Sequence, residues 1–185
     1  MAKRPGLDRG IIAQAAAELA DEIGFDKLTL SGVAEHLGVR TPSLYNHVEG
    51  LDGLRRELFL LGVNELNMRL QRAALGKSKD EALSSMLMAY RVFAKERPGV
   101  YAATIHLPAK DDLRIQSASK VIIDALLTVL EPYQLTYDEG IHAIRAFRTI
   151  GHGFASLEVA GAFEMEQETD ESYRRLITAF LRGLR

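Results

Sequence analysis

Leu30-Ser31-Gly32-Val33-Ala34-Glu35-His36-Leu37-Gly38-Val39-Arg40-Thr41-Pro42-Ser43-Leu44-Tyr45-Asn46-His47-Val48 decides how the rest of the chain is read. Val33, Ala34 and Leu37 recur at helical spacing behind Thr29, a residue type whose hydroxyl caps helix N-termini. Gly38 supplies the positive φ of a sharp turn, and Pro42 falls in the first turn of a second short helix, where its missing N–H is tolerated. Small Ala34 lets the two helices cross closely, while Val39, Leu44 and Val48 face inward. Two short helices joined in this way have the mechanics of a helix-turn-helix. The outer face of the second carries Thr41, Ser43, Tyr45, Asn46 and His47, side chains of the kind that reach base edges and phosphates in the major groove of double-stranded DNA. Many all-α proteins share the spacing without binding nucleic acid, so other residues must carry the argument.

Outward from this stretch, helical periodicity continues and alternating β-type runs are nearly absent. Asp8 is placed to cap a first helix with an inward stripe of Ile11, Ile12, Ala15, Ala16, Leu19, Ala20 and Ile23, which Gly24 ends. A long fourth helix is expected from Leu51 to Leu75, and a fifth opens on a Ser78/Glu81 capping box and ends at Arg97-Pro98-Gly99. A sixth runs from Val100 to Leu107, before Pro108, and a seventh from Asp112 to Leu130. Thr136–Phe163 and Thr169–Leu184 complete about nine helices, each of these two opened by a capping Thr. The expected fold is therefore all-α, with residues 1–52 as a helix-turn-helix domain and residues 53–185 as a second helical domain.

The 185 residues are 47% hydrophobic and 26% charged, values that exclude disordered and low-complexity classes. With no cysteine, disulfide scaffolds and Cys-ligated metal sites are excluded, and a reducing cytoplasm fits best. No secretory leader or membrane span is expected. The net charge of −2 is not that of a basic nucleic-acid binder, and residues 1–50 hold five basic and seven acidic side chains. Composition alone would never have pointed to DNA.

The run from Ile11 to Leu58 adds to the turn-linked pair a longer pattern: Ile11-Ile12-x2-Ala15-Ala16-x2-Leu19-x4-Gly24-Phe25-x2-Leu28-Thr29, Val33-Ala34-x2-Leu37-Gly38-Val39, Leu44-Tyr45-x-His47-Val48 and Leu54. It closely resembles the TetR family of transcriptional repressors. That resemblance implies an all-helical homodimer with an N-terminal helix-turn-helix, a variable core that binds a small-molecule inducer, and a dimer interface built from the last two helices. It places Thr41, Pro42, Ser43, Tyr45, Asn46 and His47 on the recognition helix, with Tyr45 and His47 at phosphate-contacting positions. Arg40 precedes that helix, and Thr29 and Ser31 would face the DNA backbone. The family usually has a phosphate-gripping Lys where this chain has Leu51; Arg55, Arg56 or the N-terminal Lys3 and Arg4 are candidate replacements.

Further along, Ala146-Phe147-x4-His152-Gly153-Phe154-x2-Leu157-Glu158-x2-Gly161-x-Phe163 resembles a TetR C-terminal subgroup with a Trp-His-Gly signature, although the chain has no Trp and Arg148 lies near that position. Glycines within a helix cost about 1 kcal/mol each, so Gly151, Gly153 and Gly161 need a packing reason. Close helix approach across a two-fold interface supplies one, and Gly153, Phe154, Leu157, Gly161, Tyr173, Ile177, Phe180 and Leu181 are its expected members. Met86, Tyr90, Phe93, Tyr101, Phe147 and, as polar groups, His106, Arg148 and His152 are candidate ligand contacts for a mostly apolar inducer. Met and aromatic residues at helical spacing are more often core than pocket, and His152 serves equally as a core histidine.

No cofactor or metal is implied. Glu139-x-x-His142 has the spacing of half a di-iron site, but no second pair accompanies it, and Glu139 suits a helix first turn. An all-α ligand-binding or di-iron enzyme and a helical protein–protein adaptor are the alternatives to a DNA-binding repressor.

Overall fold

The structure is a computed structural model that describes residues 6–106 and 112–184. Among the described residues it contains nine α-helices and no strand, which agrees with the all-α expectation. The helices are α1 (Arg9–Ile23), α2 (Leu30–Leu37), α3 (Thr41–Leu44), α4 (Gly50–Ala74), α5 (Lys79–Glu96), α6 (Pro98–Ala103), α7 (Leu113–Leu130), α8 (Tyr137–Val159) and α9 (Thr169–Arg182). Among the described residues no helix is long and apolar enough to cross a membrane. The chain divides into two compact units. One holds the residues through Asn64 together with Arg97–Ala118, and the other holds Glu65–Glu96 and the residues from Ser119 onward.

In the first unit α1 starts where Asp8 accepts a hydrogen bond from Ile11 N at 2.8 Å. Its alanines then do what small side chains do: Ala13, Ala15, Ala16, Ala17 and Ala20 are all buried, so neighbouring helices approach it closely. α2 and α6 both pack against α1. At Gly99 of α6 an added Cβ would collide with the backbone carbonyl of Ala20, and at Gly62 of α4 it would stand 2.7 Å from Thr104 Cγ2. The short α6 is thus held between α1 and α4 by glycine on two sides. Asp21 fixes its end, accepting from Gly99 N at 2.8 Å, Val100 N at 3.0 Å and Arg97 Nε at 2.5 Å, so a carboxylate of α1 serves the otherwise unpaired first N–H groups of α6.

In the second unit α5 packs along α8, and α9 against both. Tyr173 is fully buried and donates its hydroxyl hydrogen to the Leu87 carbonyl at 2.8 Å. Phe154 lies between Phe163 and Tyr173, with ring centroids 4.8 and 4.6 Å away. Against these rings sits the buried Arg91, its guanidinium 5.3 Å from the centroids of both Phe154 and Tyr173. Arg91 donates to both oxygens of Glu158, at 2.6 and 2.5 Å, and pairs with Asp170 at 2.8 Å; Lys95 adds a bond to Glu158 at 3.0 Å. These bonds, that from Arg91 foremost, hold the Glu158 carboxyl down to about 2 against its partial burial.

Several expected boundaries shift. α3 is a single turn that ends at Leu44, and Tyr45–His47 form a turn rather than helix, tightened by His47 N donating to Leu44 O at 2.9 Å. α6 is Pro98–Ala103, not Val100–Leu107, and Leu107 and Pro108 lie outside the described residues. α8 stops at Val159 rather than Phe163, because Gly161 at φ 66 turns the chain left-handed and Ala162 N bonds back to Leu157 O at 2.9 Å. Thr169 does not cap α9; Glu168 occupies the cap position without a side-chain bond. Thr136 does cap α8, in a reciprocal capping box with Glu139.

Candidate functional site

The turn-linked pair is built from local bonds. Thr29 Oγ1 accepts from Gly32 N at 3.1 Å and lies 3.2 Å from Ser31 Oγ, both on the exposed start of α2. Gly38 ends α2 at φ 65, and Val39 N bonds to Ala34 O at 2.9 Å. Leu44 and Val48 are the buried anchors beneath the recognition turn. Outside them the polar row is displayed: Arg40, Pro42 and Asn46 are exposed, Thr41, Ser43 and His47 are half-buried, and Tyr45 is 60% exposed, far from a core aromatic. His36 lies 3.3 Å from Glu18. Lys3 and Arg4 lie outside the described residues.

The cations beside this row differ in how far they are engaged. Leu51 is half-buried at the start of α4. Arg55 lays its guanidinium over the Phe25 ring, 5.5 Å from the centroid, with its Nε buried and without a hydrogen-bond partner. Arg56 is drawn into ion pairs with Glu49 at 3.1 Å and Asp112 at 3.7 Å. A third cation, missed in the sequence, joins the recognition turn directly: Arg9 Nε donates to the His47 carbonyl at 3.0 Å. Its partner is a backbone atom far along the chain, which leaves no trace in any local pattern.

The candidate ligand contacts fall in both units. Met86, Tyr90, Phe93 and Phe147 are buried in the second, with Tyr90 and Phe147 edge to face at 6.5 Å between centroids. The expected packing reason for Gly151 is here and lies within one chain: an added Cβ would stand 2.9 Å from Tyr90 Cγ. His152 Nδ1 is 3.2 Å from Ser156 Oγ, and burial, then the charge of exposed Arg148, depresses its basicity. Tyr101 and His106 belong to the first unit, where Tyr101 is buried, and the exposed His106 stacks on Phe25 at 4.9 Å and donates from Nδ1 to Ala102 O at 2.9 Å. Concave regions of the second unit are lined by other side chains, one by Leu127, Leu130, Leu135 and Tyr137, another by Met88, Val92 and Lys95.

The eight expected interface residues also divide. Phe154, Tyr173, Ile177 and Leu181 are buried in their own unit's core. Leu157 is 49% exposed, Gly153 faces open space, and Phe180 is half-buried. Gly161 is exposed beyond the end of α8. Leu176, on the same apolar stripe of α9, is 38% exposed. Glu139 spends its carboxylate on the Thr136 N–H and hydroxyl at 2.8 and 2.7 Å, which gives the Glu139/His142 spacing a structural origin.

Comparison with known proteins bears on both units. Residues 12–58 match the family model described as bacterial regulatory proteins, tetR family, and residues 83–180 match that of the tetracyclin repressor-like C-terminal domain. Across all 185 residues the chain is 36% identical to the uncharacterized HTH-type transcriptional regulator YobS of Bacillus subtilis (strain 168), covering 96% of it. It is similar in fold to a protein of unknown function from Rhodococcus sp. RHA1, with a TM-score of 0.81 at 20% identity over 97% of this chain and 96% of that one. It is similar likewise to a TetR variant from Acinetobacter baumannii AYE in complex with minocycline, with a TM-score of 0.75 at 20% identity over 96% of each chain.

Proposed function

The chain belongs to the TetR family of bacterial transcriptional regulators, DNA-binding proteins of the helix-turn-helix type, and from that premise we propose that it is a repressor: a homodimer that binds an inverted-repeat operator and is released by a small, mostly apolar inducer. The observation that carries this reading is the recognition turn. Leu44 and Val48 hold it from beneath while Thr41, Ser43, Tyr45, Asn46 and His47 stand outward, as a major-groove reader requires. Thr29, Ser31 and Arg40 flank the row and contact backbone phosphates, with Lys3 and Arg4 as an N-terminal arm.

DNA reading is the work of residues 1–52, and ligand binding and dimerisation that of residues 53–185. Dimerisation uses the exposed Leu157 and the half-buried Phe180, with Gly153 of α8 leaving open space beside them for a partner helix. The ligand contacts are Met86, Tyr90, Phe93 and Phe147 of the second unit, oriented by His152 and Arg148 of that same unit. α6 suits the role of relay, since it belongs to residues 53–185 yet is clamped to α1 of the reading domain by Asp21 and Gly99. A ligand shifts this system only if it binds the DNA-incompetent form more tightly. Such a repressor works in the cytoplasm.

Selection of bound duplexes from a random library, with footprinting on the DNA upstream of the protein's own coding sequence, tests the reading. An inverted repeat with half-site centres about one helical turn or a small multiple apart is the expected result. No enrichment and no footprint would overturn it.

A further inference from the structure

Arg9 is the first residue of α1, exposed, and its Nε donates to the His47 carbonyl at 3.0 Å. A guanidinium has five N–H donors, and this bond uses one. Among the described residues no carboxylate pairs with it: the nearby Glu57 gives both its oxygens to Arg114, at 2.7 and 2.8 Å, and feels Arg9 only as a charge at longer range. The neighbouring cations are committed elsewhere, Arg55 to the Phe25 ring and Arg56 to Glu49 and Asp112. Arg9 is therefore a cation fastened to the rim of the recognition turn by one bond, with its remaining donors open to solvent beside His47.

The electrostatics of the turn give this placement a purpose. Backbone carbonyls at the end of a helical turn carry partial negative charge, which repels a phosphate approaching Tyr45 and His47. A guanidinium bonded to one of those carbonyls satisfies it and reverses the local sign. We propose that Arg9 binds a DNA backbone phosphate through its free N–H groups while its Nε holds the recognition turn at His47. This inference rests on the DNA-binding reading above. Arg9 adds no base contact, so it strengthens binding to any sequence.

The test measures affinity of the full-length protein against salt concentration, for a duplex recovered by random-library selection and for a mixed-sequence duplex. Each phosphate contact contributes about 0.9 to the slope of log affinity against log salt. Arg9→Ala is expected to weaken both duplexes alike and to lower that slope by about 0.9 for each Arg9 on the DNA. Arg9→Lys keeps the charge and is expected to keep the slope. A weakened Arg9→Ala protein with the wild-type slope would mean that Arg9 only holds the turn, and would overturn the phosphate contact while leaving DNA binding intact. A wild-type protein that binds neither duplex at any salt concentration would overturn both readings.

Discussion

Asp21 and Gly99 join α1 to α6 by a hydrogen bond of 2.8 Å from the Gly99 N–H to the Asp21 carboxylate, at a point where residue 99 has no room for a side chain. Asp21→Ala strands two helix N-terminal donors and removes one bond of Arg97, and is expected to cost on the order of 1–3 kcal/mol. Gly99→Ala drives a methyl into the Ala20 backbone, which cannot swing aside as a side chain would, and is expected to cost about 3 kcal/mol or more. Urea unfolding measures both, with Ala102→Gly as a comparison on the same short helix. Equal stability of Gly99→Ala and wild type would mean that the α1–α6 joint is looser than the structure has it.

Glu158 gives the fold a definite acid response. Its carboxyl lies at about 2 in the folded protein, under the hydrogen bonds of Arg91, against an ordinary 4.5. A carboxyl whose folded value is depressed contributes stability that is fully present above the ordinary value and lost as pH falls toward the folded one. Wild-type stability should therefore decline between pH 4.5 and about 2 by more than that of Glu158→Gln. At neutral pH Glu158→Gln should be less stable by about 3 kcal/mol, since Arg91 is left among aromatic rings with the exposed Asp170 as its remaining carboxylate. Parallel pH curves for the two proteins would rule out this coupling.

On DNA, Tyr45→Ala and His47→Ala are expected to weaken binding to all sequences by about tenfold, or about 1.4 kcal/mol. Ser43→Ala and Asn46→Ala should instead relax base preference at their own positions by about 1 kcal/mol or more. Repeating the library selection with each variant separates the two classes.

Subunit association should respond to the uncovered side chains and not to the core ones. Phe180→Asp and Gly153→Glu are expected to yield monomers in analytical ultracentrifugation, through an unpaired charge costing several kcal/mol in a closed seam. Tyr173→Phe, which removes the buried hydroxyl bond to the Leu87 carbonyl, should lower stability by about 1 kcal/mol and leave subunit association unchanged. Dimers from both charged variants would place the interface elsewhere.

What could be read from the chain beforehand was whatever acts over a few residues. Asp8, Thr29, Thr136 and the φ of Gly38 are all where local rules put them, since a cap or a turn is decided by neighbours in sequence. Phe154, Tyr173, Ile177 and Leu181 read as interface members, but an apolar face does not say whether its own chain or a second one covers it. Nothing local marked Gly62 and Gly99 as points of close packing, since the partners that exclude a Cβ lie far away in sequence. The Arg9–His47 and Arg91–Glu158 bonds span 38 and 67 positions and belong to the same class. The row of polar residues on the recognition turn stood out because its inward anchors, Leu44 and Val48, alternate with it at short range.

The discontinuous make-up of the first unit dictates an order of events during synthesis. Its closing segment, Arg97–Ala118, leaves the ribosome only after α5, which belongs to the other unit. At about 5–20 residues per second the nascent chain carries the alanine face of α1 uncovered for seconds before α6 arrives to meet it. Asp21 must then find Gly99 across 78 positions, a contact whose loop-closure cost falls due before any gain from packing. An amino-terminal fragment ending before Arg97 is consequently an unfinished unit, and the first unit closes only after a portion of the second has already been made.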